Sequence, residues 1–277
     1  MPVKLKQCFK IYPFVIIKKV VKAFEQLIYP LKCLKCGRYI DPDMVETHTM
    51  ESCFCDVCMK ADLYPIDAPY CLKCGLKFSQ NFNQNFNDNH VCQACIQSPL
   101  KVEKARAVME YKGIIKDAIP LFKYNSKLAV ARAFELLLFQ TFLRHYEKSN
   151  IDLIIPIPLH KIKLRERGFN QAFLIIRNFV KLYHHHFGNK PCWSIDTTTL
   201  VRIKRTQSQT GFDIEKRKNN LKKAFKVVNQ KKIINKNILL IDDVFTTGAT
   251  CNEAALELLK NGADRVDALA LARTQPI

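Results

Sequence analysis

The chain runs to 277 residues and 32.0 kDa, room for one large domain or two ordinary ones. Apolar residues at 48% and charged residues at 25% are globular values, and only 8 Gly with 12 Pro exclude collagen-like and low-complexity readings. Lys and Arg number 44 against 25 Asp and Glu, a net charge of +19 that calls for a polyanionic or phosphate-rich partner.

Near the N-terminus the apolar stretch 11–17 is cut short by Lys18 and Lys19, with no small-residue cleavage site after it. No run approaches the ~20 apolar residues of a bilayer span, so neither a secretory signal nor a membrane anchor is expected. Ile17, Val20, Val21, Phe24, Leu27 and Ile28 recur at helical spacing, which predicts an amphipathic helix over residues 14–28. Packing on the protein itself is the commoner fate of such a stripe, and the flanking lysines leave a membrane surface as the alternative.

Four C-x2-C knuckles follow: Cys33/Cys36, Cys55/Cys58, Cys71/Cys74 and Cys92/Cys95. Two thiolates so spaced supply half of a tetrahedral four-cysteine zinc site. The gaps between successive knuckles are 18, 12 and 17 residues, and the first and third match the ribbon spacing. That predicts Cys33, Cys36, Cys55 and Cys58 on one structural zinc, with Cys71, Cys74, Cys92 and Cys95 on a second. Cys-Leu-Lys-Cys-Gly at 33–37 recurs letter for letter at 71–75, an internal repeat whose glycines suit a left-handed turn after each knuckle. Cys53 stands close enough to compete with Cys55, and His90 is a spare ligand type beside Cys92. The Asn- and Gln-rich stretch Gln80–Asn89 reads as an exposed loop.

From about residue 101 the pattern changes to alternating strands and helices. Strands are expected at Ala105–Tyr111, Asp152–Ile157, Thr199–Ile203, Ala224–Val228, Ile238–Ile241 and Arg265–Ala272. Helices are expected at Ile114–Tyr124, Ala129–His145, Phe169–His186 and Cys251–Lys260. This alternation predicts an α/β domain with a mainly parallel sheet covered on both faces. The expected division is a helix over 1–30, a double zinc ribbon over 31–100 and the α/β domain over 101–277. His184, His185 and His186 suit the dipole at a helix end and are not read as metal ligands.

The most informative run is residues 238–250, Ile-Leu-Leu-Ile-Asp-Asp-Val-Phe-Thr-Thr-Gly-Ala-Thr. Four apolar residues make a central strand, with Asp242 and Asp243 at its carboxyl end. Thr246, Thr247, Gly248, Ala249 and Thr250 then supply amides, hydroxyls and a helix start, the ingredients of a phosphate cradle. Adjacent carboxylates can accept hydrogen bonds from a vicinal diol such as a ribose. A second cluster follows an earlier strand: Pro156, Ile157 and Pro158, then Arg165 and Arg167, whose guanidinium groups suit pyrophosphate. Either proline could supply a cis bond, trans being the base expectation.

The charge itself is concentrated. Residues 160–236 hold 19 basic against 4 acidic side chains, whereas residues 1–100 hold 12 against 9. Arg205, Gln209, Lys216, Arg217, Lys218, Lys222 and Lys223 in this window are candidates for holding ligand phosphates or a nucleic-acid strand. Phe169 and Phe212 are possible stacking residues, although such aromatics more often belong to a core.

The run 238–250 resembles the phosphoribosyl-pyrophosphate loop of the type I phosphoribosyltransferases. The resemblance implies that Asp242 and Asp243 hold the ribose hydroxyls, that 246–250 hold the 5′-phosphate, and that Mg2+ accompanies the pyrophosphate. It also implies a pyrophosphate loop at 156–158 and a mobile hood over residues 202–220. Thr246 stands where enzymes of the hypoxanthine type carry an aspartate, which argues against a 6-oxopurine substrate.

Knuckles first, then Arg-Glu-Arg-Gly-Phe-Asn-Gln-Ala at 165–172, Gln-Thr-Gly at 209–211 and the acidic loop: in this order the chain resembles the ComF/GntX family from about residue 30 onward. That resemblance implies a cytoplasmic protein of natural competence and DNA uptake. The implied partners are single-stranded DNA, phosphoribosyl pyrophosphate and other competence proteins. The alternative is an active phosphoribosyltransferase with an unidentified acceptor, for which the sequence names no general base.

Overall fold

A computed structural model of the chain describes residues 30–78, 89–124, 128–205 and 221–275. The helix expected over residues 14–28, nearly all of the Gln80–Asn89 loop and residues 206–220, with Gln209, Phe212, Lys216, Arg217 and Lys218, lie outside the described residues.

Seven strands are described: β1 (Ala105–Glu110), β2 (Leu153–Pro156), β3 (Ser194–Ile195), β4 (Leu200–Arg202), β5 (Phe225–Val227), β6 (Asn237–Phe245) and β7 (Arg265–Arg273). Five of them form a wholly parallel sheet in the order β1-β7-β6-β2-β3. The helices are α1 (Asp56–Asp62), α2 (Gln93–Gln97), α3 (Gly113–Tyr124), α4 (Leu128–His145), α5 (Lys161–Arg167), α6 (Gln171–Leu174), α7 (Phe179–Phe187) and α8 (Ala249–Lys260). The expected parallel α/β architecture, preceded by a cysteine-rich module, is what forms.

A strand buried on both faces reads as a continuous apolar run, and β6 shows why. Leu239 and Ile241 join the core built on α4 with Phe134, Leu138 and Phe142. Ile238 and Leu240 face the opposite way, onto Ala254, Ala255 and Leu258 of α8. Among the described residues no helix is long and apolar enough to cross a membrane.

Three expectations are corrected. The strand foreseen at Ile238–Ile241 continues to Phe245, because the equally long β7 pairs with it to the end, Asp242 opposite Ala270 and Phe245 opposite Arg273. The acids therefore lie inside the strand and not beyond it. The single helix foreseen over Phe169–His186 is broken into α6 and α7. Asn178 starts the second piece by giving its backbone N–H (2.6 Å) and its side-chain amide (3.0 and 3.2 Å) to the Glu135 carboxylate, which is buried and also paired with Arg132. A charged acceptor outcompetes one turn of helical hydrogen bonds there. The third correction is α5, which the sequence pattern did not reveal; His160 caps it and Gly168 ends it.

The cysteine-rich module covers the open edge of β1. Residues 64–66 run antiparallel along it, with Ile66 N–H donating to Val108 (3.1 Å) and Glu110 N–H to Tyr64 (2.8 Å). The second module half follows, Ala105 N–H donating to Lys73 (2.7 Å). Gly75 sits there at φ +66 with the Ala105 carbonyl so near that a Cβ would lie 2.7 Å from it, so both the turn and the close approach require glycine. Ile40, Met50 and Phe54 of the first half are buried in the same core as α3 and α4.

Candidate functional site

From β2 the chain proceeds outward to β3, and from β6 it proceeds the other way to β7. The crevice beyond the carboxyl ends of β2 and β6 is therefore the topological switch point, where ligands bind in open α/β sheets. Both sequence-selected clusters converge on it: α5 and its flanks after β2, and residues 246–250 after β6.

Residues 246–248 make a tight bend into α8. Gly248 adopts φ +75, and a Cβ there would lie 2.5 Å from the Phe245 ring, so the bend rests directly on that ring. Thr247 Oγ1 accepts from Ala249 N–H (3.4 Å), leaving the start of the twelve-residue α8 facing the crevice.

Asp242 and Asp243 are only partly accessible. Asp243 N–H donates to Asp242 Oδ1 at 2.9 Å, and the Lys123 ammonium from the last turn of α3 pairs with the Asp243 carboxylate. Burial, followed by the neighbouring Asp243 charge, pushes the Asp242 carboxyl up to about 8. Burial would depress Lys123, but the Asp243 and Asp242 charges outweigh it and hold the ammonium above its ordinary value. Cys251 is buried at the start of α8 with its sulfur 4.0 Å from Asp242 Oδ2.

Cations ring this pair. Arg202, at the end of β4, is held below its ordinary value by burial and drawn back by Asp242. Lys163 on α5 is depressed by burial and by Arg202, Arg167 and Arg205 around it. Arg167 Nη1 donates to Oε1 of the buried Gln171 at 3.0 Å, which aims the guanidinium, while Arg165 lies on the exposed side of α5. Arg205 pairs with Glu166 at 3.5 Å on the surface. Asn170 caps α6 and donates to the Ile157 carbonyl (3.1 Å), and Ile157 N–H is committed to Ile241 (2.8 Å). Among the described residues the one cis peptide precedes Pro69, so Pro156 and Pro158 follow trans bonds.

Lys222 and Lys223 are exposed just before β5. Phe169 packs against Phe122 at the edge of the core and is not a free stacking platform. Lys123 and Lys163 were missed from sequence, whereas Gln171 belongs to the 165–172 motif. A lysine in the last turn of a helix carries no signal beyond a favourable dipole contact.

The cysteines group as the spacing predicts: Cys33, Cys36, Cys55 and Cys58 in one cluster, Cys71, Cys74, Cys92 and Cys95 in the other, with sulfurs in each within 4.8 Å of one another. Tetrahedral zinc with bonds of about 2.3 Å requires sulfurs about 3.8 Å apart. Cys36 and Cys55 sulfurs stand 3.7 Å apart, as do those of Cys74 and Cys92, so both clusters fit the ion. Burial would raise Cys33 and Cys71, but backbone amides donating to their sulfurs prevail and bring them to about 6 and about 7, favouring the thiolate. Cys53 is buried outside the cluster, and His90 stacks on Phe78 at 4.0 Å instead of joining the second one.

Two outcomes are expected. Elemental analysis of the full chain finds about two zinc ions, as two closed four-cysteine sites demand; a value near one overturns the pairing into two sites. The acid pair also ties stability to pH. A carboxyl raised to about 8 retains, in the folded state, a proton that the unfolded chain gives up near pH 4. Stability therefore falls as pH rises from about 4 to 8, and thermal melts of Asp242→Asn lose that slope.

No protein-family model matches the chain. Competence protein ComFC of Bacillus subtilis is 28% identical over 262 residues, covering 89% of this chain and 97% of the relative. Competence protein F of Haemophilus influenzae is 27% identical over 253 residues, 88% of this chain and 98% of that one. DNA utilization protein YhgH of Escherichia coli is 28% identical over 223 residues, 79% and 90% of the two chains. A solved structure of the allosteric regulatory enzyme of purine biosynthesis aligns with a TM-score of 0.32 at 14% identity, over 51% of this chain and 26% of that one. Across most of its length the chain is similar to competence protein ComFC, competence protein F and DNA utilization protein YhgH.

Proposed function

We propose that this protein handles incoming DNA during natural transformation and that the switch-point crevice binds a phosphorylated ribose, with phosphoribosyl pyrophosphate as the ligand. The observation that carries the ligand reading is the pair of carboxylates on consecutive residues, Asp243 paired with Lys123, beside a glycine bend that opens a helix. The relatives' names, two for competence and one for DNA utilization, support the wider role.

In this reading the Asp242 and Asp243 carboxylates accept hydrogen bonds from the 2′- and 3′-hydroxyls while Lys123 stays paired with Asp243. Amides of 247–250 and the Thr246, Thr247 and Thr250 hydroxyls take the 5′-phosphate at the positive end of α8. Arg167, held by Gln171, and Lys163 face the pyrophosphate side, with Arg202 between them and the acids. Mg2+, bound with the ligand, supplies further charge neutralisation for the pyrophosphate. Burial of these cations strengthens each contact, because the surrounding dielectric is lower than that of water.

The basic residues between β4 and β5 in the sequence and the exposed Lys222 and Lys223 suit a single strand held by its phosphates. Contacts of that kind carry no base information and weaken as salt rises.

Replacing Asp242 and Asp243 together by Asn lowers phosphoribosyl-pyrophosphate affinity at least 100-fold in calorimetry with Mg2+, in a protein that still melts cooperatively. Unchanged affinity in a folded double variant overturns the ligand assignment. Pyrophosphate release measured in the same samples tells binding from turnover. Neutralising Lys216, Arg217, Lys218, Lys222 and Lys223 flattens the slope of log affinity for single-stranded DNA against log salt by up to about five counterions. If affinity and slope both stay as they are, the DNA contact lies elsewhere or does not exist.

A further inference from the structure

Arg273, the last residue of β7, is buried, and among the described residues no carboxylate lies within ion-pair distance of it. Its Nη2 donates to Cys74 Sγ at 3.2 Å, a contact spanning 199 residues, while Nε and Nη1 make no hydrogen bond. A buried guanidinium requires a nearby negative charge. The second cysteine cluster is that charge: a divalent cation on four thiolates leaves a net charge of about −2.

The other face of the same guanidinium lies over the Phe245 ring, 5.0 Å from its centroid. Phe245 is the residue on which Gly248 rests, and Thr274 N–H, next along from Arg273, donates to the Phe245 carbonyl at 3.2 Å. One side chain thus touches a metal ligand and the ring that supports the 246–248 bend. Among the described residues no hydrogen bond or ring contact links the first cluster's cysteines to the bend; Cys33 and Cys55 are buried in the core that includes α3 and α4.

We propose that Arg273 is a positioning residue that couples the second metal cluster to the ligand-binding bend, so that a filled second cluster sets the rigidity and phosphate affinity of residues 246–250. The metal-loaded thiolates hold the guanidinium in place, the guanidinium holds the Phe245 ring, and the ring holds Gly248. This makes the second zinc part of the ligand site's support, beyond its part in stapling the module. It rests on the phosphoribosyl reading only for the identity of the ligand; the coupling itself stands on the contacts named.

The test uses the full, zinc-loaded chain and reads hydrogen exchange of amides 245–250, zinc release to a chelator, and binding of phosphoribosyl pyrophosphate. Arg273→Gln is expected to speed release of one of the two zincs at least tenfold, to raise exchange of the bend at least tenfold and to weaken binding by a similar factor. Arg273→Lys, which keeps the charge, falls between. Wild-type protein stripped of the second zinc shows the same loosened bend, so the result does not depend on a variant that folds. Unchanged exchange at 245–250 in folded Arg273→Gln, or after loss of the second zinc, overturns the coupling. If wild type fails to bind the phosphoribosyl probe, the ligand reading falls, while the exchange data still decide the coupling.

Discussion

Two carboxylates on consecutive residues of a central strand cannot both be ionised away from bulk water unless cations answer them, and the crevice is organised around that requirement. Asp242 and Asp243 repel one another, and burial adds to the cost. The protein answers with Lys123 from one side and Arg202 from another, and burial together with the Asp243 charge shifts the Asp242 carboxyl upward. The acids are held inside a nine-residue strand paired along its length, which fixes where their carboxylates meet these partners. The extension of β6 beyond its apolar run keeps the carboxylates rigid where a loop would let them part.

The cysteine-rich module solves a different problem. An open parallel sheet leaves its outermost strands with unpaired hydrogen-bonding groups. At β1 the chain between the two clusters and the second knuckle repeat cover that edge, tied down by Arg106 donating to the Leu72 carbonyl at 3.0 Å. The module is too small to build a large core of its own, and its two four-cysteine clusters fit a structural metal that would give it order. Arg273 stands where these two structures meet, which is why a residue at a strand end makes its hydrogen bond to a cysteine.

The long helix that fails to form over 169–186 illustrates how local periodicity loses to a single buried charge. Every residue from Phe169 to His186 is compatible with helix by pattern, yet Asn178 finds a better acceptor in Glu135, 43 residues earlier in the chain. The break leaves Gln171 buried and within reach of Arg167, so a packing event sets the direction of a candidate ligand-binding side chain.

The amino-acid order alone determined what contiguous segments do. Knuckle spacing selected the cysteine partners, unbroken apolar runs marked the buried strands, and two acids followed by a threonine–glycine bend marked the site. These signals are local, since metal-ligand reach, pleat and turn conformation depend on residues a few positions apart. Strand order decided everything else. Placing β6 between β2 and β7 brought Lys123, Arg167 and Arg202 to the acids, and placing β7 beside β1 brought Arg273 to Cys74. A lysine at a helix end or an arginine at a strand end has no distinguishing spacing. Its role exists only once packing removes water and sets it against a charge from elsewhere in the chain.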